Sequence, residues 1–485
     1  MKETSTGEGK LITNLWEGGE GPQNRFMDGP FAPIEHEVTA HNLEVVGKIP
    51  EELNGRYLWC GPNASPFDPE DPRTYSWFTG SGMLSGVRLR EGRAEWYRNR
   101  FVRDELTTPH LGVPRLPGPE PLSRREPYRD LTGPRFVEAN VVNTHVWAMA
   151  GRTYAFAEAG VLPVEFSYGL DPVARCDFDG TLNGSWTGHP HRDPDSGELH
   201  GFSYFWQWDH VSYQVLGTDG KINKRVDVPV GGRPSVHDMA ITARYAIFLD
   251  GPLQFDDRAH QEGYDWPWAW DREKSVRWGL VPRDGGAADV KWCALEEQTY
   301  TTHILNAFDL PDGKVAVDAC TVPKLFLDDL TGPTESVSRL QRFILDPVTG
   351  SSKVETISAE GLDMPRLDDR MTGKQHRYGY FNRLEGAGAI ARTDFEKQST
   401  EYYKYEAGKA GIESIFVPRT PDSAEDDGWV LGYAIDVPTQ TTEVLILSAQ
   451  DLASGPIARI KVPSRPQYGF HSNWIADEEL EQANI

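Results

Sequence analysis

Four of the thirteen histidines in this chain stand in contexts unlike ordinary surface loops. They are His189 in GHPHRDPDSGE, His237 in SVHDMA, His303 in THILNAFD and His471 in GFHSNW. Each adjoins a strand-like run, where a rigid scaffold presents side chains at its edge. Neutral imidazole is a good ligand for a redox-active divalent metal. Four of them meeting at one point would make a site with no carboxylate touching the ion, which would then keep its full positive charge. No local motif unites the four. Spacing alone therefore leaves a second reading open, in which each is a separately hydrogen-bonded histidine.

The elements that must position these residues are short and extended. Runs such as GRTYAFAEAG, YAIFLD, WVLGYAIDV and TEVLILSA have the length and alternation of strands. The junctions DPDSG, GTDG, LPDG and DPVTG place Asp and Gly where hairpin turns need them. With 47 glycines and 35 prolines, long helices are broken throughout. Helix is expected only after SPFDPEDP, near 329–342 and in ADEELEQAN. The pattern predicts an all-β chain, compatible with a propeller, a tandem of sandwiches or a barrel. No crisp tryptophan–aspartate repeat is present, so a propeller must be a diverged one. Residues 1–36 read as an irregular arm and 37–485 as one domain without a linker. Two long connections stand out, 104–134 and the aromatic stretch 252–280. The second carries Tyr264, Trp266, Trp268 and Trp270, which either line an apolar tunnel or form a satellite core under a loop.

Composition narrows the function. The net charge of -24 disfavours nucleic acid and strong attachment to anionic lipid. No apolar run is long enough to span a bilayer, although an aromatic patch could touch one transiently. The N-terminal stretch lacks the apolar core of a secretory signal. Four scattered cysteines without a CxxC pair fit neither a disulfide framework nor a thiolate zinc site. A reducing cytoplasm is the expected compartment.

The histidine contexts resemble, in order, the four motifs of the carotenoid cleavage oxygenase family, which includes lignostilbene and apocarotenoid dioxygenases. His189, Pro190, Asp193, Pro194, Gly197 and Glu198 match the first. His237, Asp238, Met239, Ala240 and Thr242 match the second. His303, Asn306 and Ala307 match the third. Gly469, Phe470, His471 and Trp474 match the fourth, with Ser472 where the family has glycine. The similarity runs from about residue 37 to the C-terminus.

That resemblance implies a seven-bladed β-propeller with a dome of helices and loops over the active-site face, and Fe(2+) held by the four histidines. It implies carboxylates behind the imidazoles at Glu158, Glu413 and, where the family has glutamate, Asp363. It implies that Thr144 crowds one side of the iron and leaves room there for dioxygen. The expected reaction is dioxygen cleavage of an apolar conjugated alkene to two carbonyl products. In the stilbene-cleaving branch, which 77–102 resembles, a tyrosine and a lysine hold the substrate phenol. Tyr128 in REPYRD matches that tyrosine, but Ala157 stands in the lysine's place, directly before Glu158. This favours an apocarotenoid or related polyene, with a stilbenoid or phenylpropene as the alternative. An oxygen-independent isomerase and a non-catalytic binding propeller are the readings of other classes. Thr79, Ser81 and Ser85 replace the usual residues of an acid-bearing family turn.

Overall fold

The computed structural model describes residues 24–66, 71–384 and 388–480. Its strands form seven antiparallel sheets around a central axis, a seven-bladed β-propeller, with a separate two-stranded hairpin outside the ring. Of the three sequence-compatible architectures, the propeller is the one formed. The innermost strands are His471–Ala476, His145–Met149, His191–Arg192, Met239–Ile241, Tyr300–Asp309, Leu362–Arg366 and Ser414–Pro418. Most consecutive blades touch through these strands.

Segments distant in sequence close the ring. His471–Ala476 pairs with Gly55–Asn63, placing His471 opposite Cys60. Val38–His41 is the outer strand of that first blade, while Val45–Gly47 pairs with Pro456–Val462 on the last. Across this junction Trp59 stacks on Tyr433, with ring centroids 5.0 Å apart. Burial of such a ring stabilises the fold by roughly 3–5 kcal/mol relative to alanine. The Asp-Gly junctions form hairpin turns, and Gly313 and Gly350 take φ of 86° and 73°, which favours glycine.

Loops and short helices cover one face. They include Thr108–Leu111, Arg135–Glu138, and the hairpin Leu253–Phe255 with Trp268–Trp270, which encloses the helix Asp257–Gln261. The helix expected near 329–342 is absent. Gly332-Pro333 breaks that stretch, and Arg339–Asp346 is a strand that buries Leu340, Phe343 and Leu345. The stretch after SPFDPEDP forms only the 3-10 turn Trp77–Thr79. The terminal helix is reduced to the 3-10 turn Asp477–Glu479, where Asp477 accepts from Arg88 and Tyr168; residues 481–485 lie outside the described residues. Residues 1–23 of the arm also lie outside them, whereas Phe26 and Phe31 pack on Trp77 at 5.4 and 5.2 Å.

Candidate metal centre

All seven inner strands deliver a functional group close to their starts. His471 opens the first, and Thr144 directly precedes the second. His189 and His237 lie two residues before the third and fourth. His303 and Asp363 lie near the starts of the fifth and sixth, and Glu413 directly precedes the seventh. Side chains from separate blades therefore converge on the axis. One ring nitrogen from each of His189, His237, His303 and His471 lies within 4.8 Å of the others. The Nε2 atoms of His237 and His303 approach to 3.4 Å.

Carboxylates occupy the other side of three rings. His237 Nδ1 lies 3.1 Å from both oxygens of Glu158. His303 Nδ1 lies 2.7 Å from Asp363 Oδ1, and His471 Nδ1 lies 2.9 Å from Glu413 Oε1. A carboxylate there accepts a hydrogen bond from Nδ1–H, which leaves the Nε2 lone pair free and raises its basicity. Burial, reinforced by neighbouring imidazoles, holds His189 and His471 well below the ordinary histidine pKa. Burial acts the same way on His237, but Glu158 outweighs it and the net shift is upward.

Two features of the site fit a divalent cation. His189 Nε2 is buried without a hydrogen-bond partner, aimed among the other three rings. Glu158, Asp363 and Glu413 are all buried, yet among the described residues Arg366, 3.7 Å from Glu413, is the one arginine or lysine in ion-pair range of any of them. Two buried negative charges lack a fixed counter-charge, and a doubly charged ion held by the histidines would supply it.

A cavity with about 900 Å3 of free space, part of it open to solvent, borders His237, His303 and His471. Trp77, Phe78, Phe136, Trp266, Phe326 and Phe470 make up much of its wall. Thr144, Ala157 and Glu158 also line it, and no lysine or arginine does so among the described residues. The Thr144 hydroxyl donates to Asn143 Oδ1 at 3.2 Å, and its Cγ2 lies against Gly188, one residue before His189. Of the four aromatics expected to line a tunnel, Trp266 borders the cavity. Trp268 packs behind it on Tyr204 and Phe255, Trp270 donates its indole N–H to Gln298, and Tyr264 is partly exposed. The hairpin turns Trp268 and Trp270 into the layer behind the wall. Tyr128 lies outside the cavity wall, its hydroxyl accepting from Trp208 Nε1 at 3.1 Å.

Sequence reasoning missed several supporting residues. Asp238 does more than follow a ligand. Its Oδ2 accepts from Ile304 N at 2.6 Å, next to His303, while Oδ1 accepts from Met239 N and meets His191 Nε2 at 3.1 Å. Asn306 bonds three backbone groups of the 371–374 turn. Ser472, the replaced glycine, donates both its N–H and its hydroxyl to Glu413 Oε2. Phe78 lies nearly parallel to His237, 6.5 Å away. Of these, Asp238 and Asn306 had a signal, their places in the histidine motifs.

Fold and site together define a β-propeller enzyme with a four-histidine metal centre. Residues 31–476 match the family described as retinal pigment epithelial membrane protein. A carotenoid cleavage oxygenase of Mycobacterium tuberculosis is 36% identical over 93% of this chain and 97% of that protein. A carotenoid 9,10(9',10')-cleavage dioxygenase 1 of Phaseolus vulgaris is 27% identical over 95% and 91% of the two chains. Among solved structures, Pseudomonas brassicacearum lignostilbene dioxygenase superposes with a TM-score of 0.81 at 26% identity, covering 94% of this chain and 99% of that one. A cobalt-substituted Synechocystis apocarotenoid oxygenase superposes with a TM-score of 0.80 at 24% identity, over 94% and 99%. The chain belongs to the carotenoid cleavage oxygenase family.

Proposed function

We propose that this chain is a non-haem iron(II) dioxygenase that splits a conjugated carbon–carbon double bond of an apocarotenoid or related polyene into two carbonyl compounds. One observation carries the reading: four imidazoles converge, and three of them border an aromatic cavity whose described wall holds no lysine or arginine. Iron in the four-histidine site would supply dioxygen activation. The chain's own residues supply ligation, orientation and dryness. Glu158, Asp363 and Glu413 keep protons on the Nδ1 atoms and turn the Nε2 lone pairs inward. The aromatic wall holds a flat conjugated chain by area and stacking, and excludes water. Thr144 lines the cavity and packs its methyl against Gly188, and would restrict the space beside His189. No protein nucleophile or general base takes part.

The test is oxygen uptake by anaerobically iron-loaded protein against polyenes, stilbenes and phenylpropenes. Mass spectrometry should find an aldehyde pair from a polyene, with label from 18O2 in both products. An iron-loaded protein that consumes no oxygen with any of these substrates would end the proposal. The similarity to a lignostilbene dioxygenase favours a second reading, cleavage of a stilbenoid. Against it stand Ala157 in the wall and Tyr128 outside it, which leave a phenolate without a clamp.

Among the described residues no helix is long and apolar enough to cross a membrane. The four cysteines are unpaired, which supports a reducing cytoplasm. The net charge of -24 supports a role without nucleic acid.

A further inference from the structure

The ligand histidines are reached by two cavities. The apolar one touches His237, His303 and His471. A second, with about 520 Å3 of free space partly open to solvent, touches His189, His303 and His471. Its walls are of a different chemistry. Asp369, an exposed residue, borders it, as does the buried Thr372. Further in are Asp238 and His191, held to each other at 3.1 Å. Beside the ligands is His145, whose ring centroid lies 5.1 Å from that of His471 and 5.8 Å from that of His189. His145 is 5% exposed, and neither ring nitrogen has a hydrogen-bond partner in the protein. The backbone of Ser472 comes near the ring without hydrogen-bonding geometry. Arg192 and Arg366 also border this cavity, but each has a carboxylate beside it, Glu479 at 3.3 Å and Glu413 at 3.7 Å. The alkene chemistry uses neither His145 nor His191.

A divalent ion reaches its ligands from water. Stripping its hydration shell in apolar surroundings costs several kcal/mol or more even after relaxation. An aromatic wall returns little of that cost, whereas imidazoles and carboxylates replace water ligands one at a time. We propose that the polar cavity is the route by which the metal enters and leaves, with the exposed Asp369 at its mouth, Thr372 in its wall and His145 as a transient ligand. The proposal rests on the reading that the four histidines hold a divalent metal.

Cobalt(II) uptake by metal-free protein, followed by its visible absorption after rapid mixing, measures the route inward. Loss of cobalt to a chelator measures it outward. A residue on the path but outside the site changes the barrier and leaves the end states alone. Uptake and loss then change by one common factor at constant Kd. Asp369→Lys sets a like charge at the exposed mouth, and Thr372→Trp narrows the passage. Each is expected to slow both rates about tenfold, the effect of about 1.4 kcal/mol on the barrier. Leu384→Trp, at a partly exposed residue of the apolar cavity's wall, should leave both rates near wild type. The proposal is overturned if Asp369→Lys and Thr372→Trp both exchange cobalt at the wild-type rate, or if Leu384→Trp alone slows exchange. Asp369 is exposed, so its replacement does not put folding at risk. A wild-type chain that takes up no cobalt at equilibrium would instead overturn the metal reading, and the route with it.

Discussion

Asp363 reaches His303 with a side chain one methylene shorter than glutamate, from a strand that is irregular at this point. The strand pairing is irregular between Asp363 and Arg366, with Met364 at φ 51°. Met364 N and Thr302 Oγ1 then donate to the same Asp363 oxygen that meets the imidazole. Asp363→Ala removes that acceptor and should weaken cobalt binding about 10- to 100-fold in chelator competition. Asp363→Glu should also bind more weakly than wild type, because a longer side chain displaces the carboxylate from Met364 N and Thr302 Oγ1. Wild-type affinity in both variants would refute this account of the site. Ala157 belongs to the same scale. Ala157→Lys places a cation on the cavity wall beside Glu158 and should raise kcat/KM for a 4-hydroxystilbene relative to a polyene by about tenfold, the scale of one charge-assisted contact. A ratio unchanged in steady-state kinetics would show that the wall at 157 does not select the substrate.

At the scale of elements, close backbone approach sets the ligands. A Cβ on Gly82 would lie 1.8 Å from Val142 O, on the segment leading to Thr144. Gly82→Ala should therefore destabilise the fold by about 2–4 kcal/mol, read as a lower urea midpoint. A Cβ on Gly188 would instead meet Thr144 Cγ2 at 2.8 Å. Gly188→Ala should cost metal affinity more than stability, since His189 must shift with its neighbour. The strands themselves were legible, because YAIFLD, WVLGYAIDV and TEVLILSA alternate and end in turn residues. The false helix near 329–342 shows the limit of that reading. Acidic and apolar residues there suited either period, and pairing with Val315–Val322 and Ser351–Ser358 decided for a strand.

At the scale of the whole molecule, packing controls charge. Burial, with Arg283 nearby, lowers His200 to about 3, and burial lowers His376 to about 4. In the unfolded chain both would take up a proton near pH 6.5, whereas the folded chain resists it. Below about pH 6.5 the unfolded state binds more protons, so stability falls as the pH drops towards about 4. Each of the two groups contributes up to about 1.4 kcal/mol per pH unit across its window. Urea midpoints should decline between about pH 6.5 and about pH 4.5, and His376→Gln should flatten the decline. A midpoint constant across that window would contradict this.

By itself the sequence determined which residues had the chemistry: four histidine motifs in order, Glu158 and Glu413 in matching contexts, and an alternation that only an all-β fold satisfies. It also carried Ala157, on which the proposed substrate choice rests. Convergence was decided only by the tertiary structure. Ligands on separate blades meet because the ring closes through His471–Ala476 and Gly55–Asn63, a pairing between opposite ends of the described chain. The hairpin of Leu253–Phe255 with Trp268–Trp270 sorted the aromatic stretch, leaving Trp266 at the cavity and Trp268 behind it. Local pattern says that a side chain is apolar or can bind a metal. What it faces depends on segments hundreds of residues away, and that information exists only once the chain has folded.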